Sequence, residues 1–480
     1  MRTAPEYIES LRDRKLDLWV GGERVADPTQ HPLVRPSIEA VAATYQVAHD
    51  PQHRDLAVAQ SDLTQGPVNR FTHLFREPRD LVAKIELQRV LGRLTGTCFQ
   101  RCVGMDALNA LFIATWEASG GASPPTAAPT HEATAHARFV AWMTGVQERD
   151  EVVCGAMTDP KGNRALRPPA QPDAFLRIVE RREDGVVLRG AKIHQTGAAN
   201  SHQILVMPGM ALRKGEEDFA VAAAVPVDAP GVTMILGRQP SDDRKGGPDA
   251  GNLRYAGQEV VVLFRDVFVP SEHVFLDGHL GATATLLDAF AGYHRASYGG
   301  CKPGNLDVLI GATALLTTEH GIRKAPHVRD KLIEMAHLGE TVHALGLAAS
   351  SRSSQHDAGV WQVDKLLANV CKHNVTRMPY EVVRLAEDLA GGLVATMPSL
   401  AELDHPEYGE ALSKIVGSPT RAKMLRLVEA MAYGAQSVPL RIECMHGAGS
   451  PQAQRIVVER EIDWADRMNA ARRLAGLPEA

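Results

Sequence analysis

Six cysteines and 19 histidines are spread over 480 residues, and two stretches set some of them at spacings suited to holding a metal. In Thr97-Cys98-Phe99-Gln100-Arg101-Cys102 the thiols stand four residues apart. On a helix this spacing places both on one face, about one turn from each other, where thiolates can ligate one soft metal centre. The plainer alternative is two small buried residues, because free cysteine packs as a small hydrophobe. The second stretch is Tyr293-His294-Arg295-Ala296-Ser297-Tyr298-Gly299-Gly300-Cys301-Lys302. Here a histidine and a cysteine seven apart reach one centre if Gly299-Gly300 breaks or bends the backbone. Together the pieces offer three thiolates and one imidazole, a set that suits structural zinc or an iron–sulfur cluster with one unusual ligand. Neither zinc-finger nor ferredoxin spacing is present, so both stay open on spacing alone. Cys154, Cys371 and Cys444 read as buried bystanders, Cys371 on the apolar face of its helix and Cys154 in an apolar run.

The elements that must position these residues change character along the chain. Residues 1–150 carry helical patterns after a hairpin-like stretch, Leu18-Trp19-Val20-Gly21-Gly22, and the Pro- and Ala-rich passage Gly120 to Pro129 reads as a loop between helices. Over 151–278 the period becomes that of strands. Two apolar runs flank Asp184-Gly185, a hairpin signal, and His202–Met207, Phe219–Val227 and Val260–Val269 continue the pattern. Such a density of strands without helices predicts a small antiparallel barrel or sandwich. Over 279–480 the helical period returns. Val328, Leu332, Met335, Val342, Leu345 and Ala349 share one face of a helix opened after Pro326, and Trp361, Val363, Leu366, Leu367, Val370 and Cys371 mark another. This C-terminal bundle has room to oligomerise. The fold class expected is α+β: an N-terminal helical domain, a central antiparallel β-barrel domain and a C-terminal helical bundle. That order is similar to the acyl-CoA dehydrogenase-like flavoproteins, an analogy of fold alone.

Composition narrows the class of function. The length suits two or three domains. Apolar residues at 44% and charged residues at 23% exclude disorder, coiled coil and collagen. With 52 basic against 57 acidic residues, net −5, no electrostatic footprint for nucleic acid or an anionic membrane exists. Six cysteines are too sparse for a disulfide scaffold, and the N-terminus shows no signal peptide. The most apolar run, Phe219 to Leu236, is interrupted by Pro226, Asp228 and Pro230, so it does not span a membrane. A cytoplasmic protein is the expectation.

Several stretches carry a closer resemblance. GTCFQRCVGMDALNAL (96–111), FAGYHRASYGGCK (290–302), MHGAGSPQAQR (445–455), GAMTDPKGNR (155–164) and RGAKIHQTGAANSH (189–202) resemble the 4-hydroxybutyryl-CoA dehydratases. The wider superfamily, the flavin-dependent 4-hydroxyphenylacetate 3-hydroxylases, shares the fold and lacks the cysteine and histidine set. The resemblance implies a homotetramer acting on an acyl-CoA, with one FAD and one [4Fe-4S] cluster per subunit. It assigns Cys98, Cys102, His294 and Cys301 as cluster ligands, which favours iron–sulfur over zinc. It assigns Met157, Thr158, Asp159, Lys161, Gly162, Gln195 and Thr196 to flavin-contacting loops, with Thr196 near the flavin N5. Gly391-Gly392 resembles the glycine pair at which a neighbouring subunit's FAD passes. Neither a G-x-G-x-x-G after a strand nor a P-loop occurs, so this different scaffold would hold the flavin.

The reaction implied is removal of water from 4-hydroxybutyryl-CoA to give crotonyl-CoA, with isomerisation of vinylacetyl-CoA. The C3 proton is not activated by the thioester, so a plain elimination cannot begin there. A radical route answers this: loss of the α-proton and one electron to FAD makes the β-proton acidic, and the electron returns after hydroxide leaves. The cluster would act as a Lewis acid toward the substrate hydroxyl. His294 acquires a second role as base, Tyr298 as proton donor to the leaving hydroxyl, and Lys302 and Glu443 match further active-site positions. Glu259 and Gln100 are expected around them as orienting groups. Taken singly, Glu443 and Glu259 would read as solvated surface carboxylates. The rival readings are an FAD-dependent aromatic 3-monooxygenase, a dehydratase of a related hydroxyacyl-CoA, and a non-enzymatic module stapled by zinc. A cluster with a histidine ligand further suggests low oxygen.

Overall fold

The computed structural model describes residues 1–480 other than 122–133, 161, 239–247, 435 and 480. The passage expected as a loop at Gly120 to Pro129 therefore lies mostly outside the described residues. Helices come first, then two sheets, then helices again. The axis of the molecule is the helix Leu280–Glu319, 40 residues and about 60 Å long at 1.5 Å per residue. Its middle, residues 292–306, is buried without a break, as an interior helix is, while both ends carry exposed residues. Glycines let its neighbours approach. A Cβ on Gly300 would lie 2.5 Å from the Ile85 carbonyl oxygen, and one on Gly299 would overlap Gly346. The helix Pro78–Thr95 thus crosses on one side and Pro326–Ser351 on the other.

Gly299-Gly300 does not break the backbone; the helix runs through both and through Pro303. Proline at 303 removes the N–H that would bond the carbonyl four residues back, that of Gly299. His343 Nδ1 takes its place at 2.9 Å from that oxygen. With the helix intact, His294 and Cys301 share a face by being two turns apart. The expectation for the first cysteine pair is corrected in the opposite sense. The Pro78–Thr95 helix stops at Gly96, whose φ of 62° gives a left-handed cap. Gln100 follows at φ 67°, and the next helix, Cys102–Ala118, begins only at the second cysteine. Cys98 is in the connecting loop.

The strands form no closed barrel among the described residues. A six-stranded sheet runs in the order Glu23–Arg24, Leu18–Val20, Val232–Leu236, Glu259–Pro270, Gly185–Thr196, Arg177–Arg181; a four-stranded sheet runs Val274–Asp277, Val221–Pro226, Gln203–Val206, Val153–Ala156. Two pairings are parallel, Leu18 with Met234 and Val153 with Gln203, so the sheets are mixed rather than purely antiparallel. The smaller sheet is covered on both faces, which explains its unbroken apolar runs. Ile204, Val206, Ala223 and Val225 face a core shared with Val262 and Phe264 of the larger sheet. Leu205, Ala222 and Ala224 face the helices, beside Leu108, Phe139 and Phe290. A sheet held between another sheet and a helical layer has no reason to close on itself. The hairpin expected at Asp184-Gly185 is present. The helix expected from Trp361 begins at Lys365, where the Asp364 side chain accepts from the Leu367 N–H. No helix among the described residues is long and apolar enough to cross a membrane.

Candidate active site

Four segments meet at one buried place: the loop Thr97–Arg101, one face of the central helix, the short helix Ile442–His446 and the start of the strand Glu259–Pro270. His294, Tyr298, Cys301 and Lys302 follow i, i+4, i+7, i+8 and so line a single helix face. Lys302 is fully buried and donates to Glu443 Oε2 at 2.5 Å. Burial opposes its charge, but Glu443 and the neighbouring Cys301 hold its pKa well above the ordinary lysine value. Tyr298 lies beneath two ammonium groups, Lys302 at 5.1 Å and Lys372 at 4.6 Å from its ring centre. Its hydroxyl fills the space where a side chain on Gly447 would stand, which accounts for the glycine in Met445-His446-Gly447.

Cys98, Cys102 and Cys301 are each within electrostatic reach of the other two and of Glu443 and Lys302. Burial raises all three thiols, because a thiolate kept from water loses its solvation. His294 points Nδ1 at Asp106 Oδ2, 2.8 Å away. The carboxylate only accepts, so Nδ1 donates in this hydrogen bond. Among the described residues no three His, Cys, Asp or Glu side chains close on a single metal ion. Ligands to different irons of a cluster stand further apart than ligands to one ion, and the chemistry of three neighbouring buried thiols, with an imidazole on the helix face of Cys301, suits such a group.

Glu259 Oε1 accepts from the Thr196 hydroxyl at 2.6 Å, while its Oε2 is buried without a partner. Burial, and then the charge of Glu443, push its pKa up to about 8. The orphaned oxygen belongs to a small cavity lined by Thr97, Ala256, Glu259, Gln436, Val438 and Glu443. Gln100, by contrast, has both ends of its amide engaged: Nε2 donates to the Ser37 carbonyl at 3.1 Å and Oε1 accepts from Asn200 at 2.9 Å. It locks the loop between the two cysteines.

The expected flavin loops sit at strand ends. Met157 and Thr158 follow Val153–Ala156, and the Thr158 carbonyl accepts from Ile193 N–H. Asp159 is committed internally, paired with Lys192 at 2.8 Å. Gln195 is buried and donates to the Ile193 carbonyl, and Gly162 turns at φ 48°. Lys161 lies outside the described residues. Gly391 and Gly392 are exposed after the helix Met378–Ala390, with open space where their side chains would be. The other thiols turn to backbone carbonyls: Cys154 to Thr196, Cys371 to Val342, Cys444 to Pro439.

Sequence reasoning missed Asp106, Lys84 and Lys372. Asp106 had a signal, a single charge within the apolar run Met105–Ala114 and one turn beyond Cys102. Lys84 and Lys372 had none, because each looks like an ordinary helix-surface lysine; both are buried.

Fold and site together are those of a flavoprotein class: the models of the 4-hydroxyphenylacetate 3-hydroxylase N-terminal and C-terminal regions match residues 3–276 and 283–476. A 4-hydroxybutyryl-CoA dehydratase/vinylacetyl-CoA-Delta-isomerase from Clostridium aminobutyricum is 46% identical, over 99% of this chain and 100% of its own. The solved structure of an oxygen tolerant archaeal 4-hydroxybutyryl-CoA dehydratase from N. maritimus superposes with a TM-score of 0.94 at 45% identity, covering 100% of this chain and 96% of that one. The oxygenase component of a 4-hydroxyphenylacetate 3-monooxygenase, solved with FAD, shares the fold at TM-score 0.85 and 22% identity, with 99% of each chain covered. The chain belongs to the 4-hydroxyphenylacetate 3-hydroxylase family and, within it, to the 4-hydroxybutyryl-CoA dehydratases.

Proposed function

We propose that the chain dehydrates 4-hydroxybutyryl-CoA to crotonyl-CoA and isomerises vinylacetyl-CoA, as a cytoplasmic homotetramer. The observation that carries this reading is the gathering of Cys98, Cys102 and Cys301 about the Lys302–Glu443 pair, with His294 on the same helix face as Cys301 and Lys302. A hydroxylase that uses reduced flavin and oxygen has no need of such a donor set. FAD would rest against Met157–Gly162 and Gln195–Thr196, with Gly391-Gly392 open to the FAD of a neighbouring subunit. The four ligands would hold a [4Fe-4S] cluster. When bound, these groups supply a reversible one-electron store and a Lewis acid for the substrate hydroxyl.

The remaining work falls to side chains. Glu443 is poised to take the α-proton, with Lys302 beside it to balance the charge. Glu259, neutral over most of the physiological range at a pKa of about 8, can donate a hydrogen bond where Glu443 only accepts. Two carboxyls with separated environments divide acid and base roles. Tyr298, set under two cations, delivers a proton to the departing hydroxyl. With Nδ1 committed to Asp106, His294 would serve as the second base through Nε2, once that nitrogen is released from the metal. Gln100 holds the cysteine loop in place.

The test is anaerobic incubation with 4-hydroxybutyryl-CoA, followed by mass spectrometry for crotonyl-CoA and by iron analysis, for the wild type and Cys301→Ala. Product with the wild type, and loss of both iron and product in the variant, is expected. A yellow, iron-free wild type that forms no crotonyl-CoA would overturn the reading in favour of an aromatic hydroxylase.

A further inference from the structure

Beside His294 lies a polar network within the helical core. Asp106 Oδ2 accepts from His294 Nδ1 at 2.8 Å and from Ser297 Oγ at 2.9 Å, and Oδ1 accepts from Lys84 Nζ at 2.5 Å. Lys84 also donates to the Tyr293 carbonyl at 2.9 Å, and Gln88 donates to Ser297 at 3.1 Å. The Lys84 and Asp106 side chains are 1% and 0% exposed. A fully buried ion pair is costly to desolvate and is weak evidence of a purely stabilising role. The imidazole is further fixed by Phe290, stacked at 5.3 Å and 26°, and by the edge of Tyr298 at 5.5 Å and 81°. Three helices contribute, and the one bearing Asp106 opens with Cys102.

We propose that Asp106, held by Lys84 and Ser297, is a positioning residue that fixes the tautomer and ring plane of His294, so that Nε2 alone faces the metal-binding space. This rests on the ligand role given to His294 above. The reason is directional. A carboxylate already accepting from a lysine and a hydroxyl offers His294 an acceptor and no donor, so the ring proton stays on Nδ1. A metal-bound imidazole whose other nitrogen donates to a carboxylate is oriented and made a better ligand, and loss of the partner weakens metal retention by about 10–100-fold. The same helix then supplies a thiol at its first turn and the orienting carboxylate one turn later.

Asp106→Asn alone would strand the buried Lys84 charge, so the informative variant is Lys84→Met/Asp106→Asn, with Ser297→Ala as a milder second. After anaerobic reconstitution, iron is followed against a chelator and the reduced cluster by electron paramagnetic resonance, with flavin content and melting temperature as controls. Expected are iron loss about 10–100-fold faster in the double variant and an altered spectrum in both variants, with flavin retained. Wild-type chelation kinetics and spectrum in both variants would overturn the proposal. Neutron crystallography of the wild-type holoprotein reads the proton directly: deuterium on Nδ1 is expected, and deuterium on Nε2 would also overturn it. A wild type that takes up no iron, yet shows the proton on Nδ1, would sink the dehydratase reading while leaving the orientation of His294 by Asp106 in place.

Discussion

Glu259 shows how a single carboxyl reports on its surroundings. Its pKa is raised from 4.5 to about 8 by burial first and by Glu443 second. A raised folded-state value means that the associated stability is complete below pH 4.5 and is lost as pH climbs through 8. Glu259→Gln removes that dependence. The variant is therefore expected to melt close to the wild type at pH 5 and above it at pH 8.5, by calorimetry at both values. Equal differences at the two pH values would show that the carboxyl is ionised in the fold at neutral pH. At this scale the sequence was legible where residue type and local spacing coincide, as in His294, Tyr298, Cys301 and Lys302, all on one helix face. It was not legible where the partner is remote. Asp106 meets Lys84, 22 positions away, and His294, 188 positions away, and no local pattern announces such pairs.

The central helix carries much of the site, and its glycines decide how closely the neighbours pack. Gly300→Ala would put a methyl group 2.5 Å from the Ile85 carbonyl oxygen and 2.7 Å from Gln88 Cβ. Backbone cannot yield as a side-chain tip does, so overpacking of about 1–3 kcal/mol is expected. Gly311, on the same helix, is exposed and has nothing within 4 Å of its Cβ position. Gly311→Ala should therefore stabilise by about 0.5–1 kcal/mol through helix propensity. Chemical denaturation of both variants checks the contrast; equal effects would show that the crossing with Pro78–Thr95 is looser than described. Helix and strand periods found these elements in the sequence, but the Gly299-Gly300 pair is ambiguous there. It permits a bend or a close crossing, and only the partner backbones of Ile85 and Gly346 select the second. The cysteine loop is hidden for a related reason: a four-residue spacing suits a helix, while Gly96 and Gln100, both at positive φ, impose a turn. The barrel expectation failed because strand patterns give pairs and not closure, and a sheet sandwiched between layers looks locally like any buried strand set.

In the proposed homotetramer, Gly391-Gly392 is where a neighbouring subunit's FAD would pass. Gly391 is at φ 74°, so a side chain there would strain the turn whatever lay nearby. Gly392 is different: φ is −61°, the residue is exposed, and nothing of its own chain lies within 4 Å of its Cβ position. Gly392→Leu should leave the fold of a single chain intact. If a neighbouring subunit's FAD passes here, the new side chain must collide with the flavin and not with protein. The expected result is a large fall in flavin per chain, with iron content and secondary structure unchanged, measured on freshly reconstituted protein by absorbance, iron analysis and circular dichroism. Full flavin occupancy in Gly392→Leu would show that this turn faces solvent in the assembly. The contrast separates a glycine kept for its own backbone from one kept for a neighbour's ligand, and only the second requires a homo-oligomer.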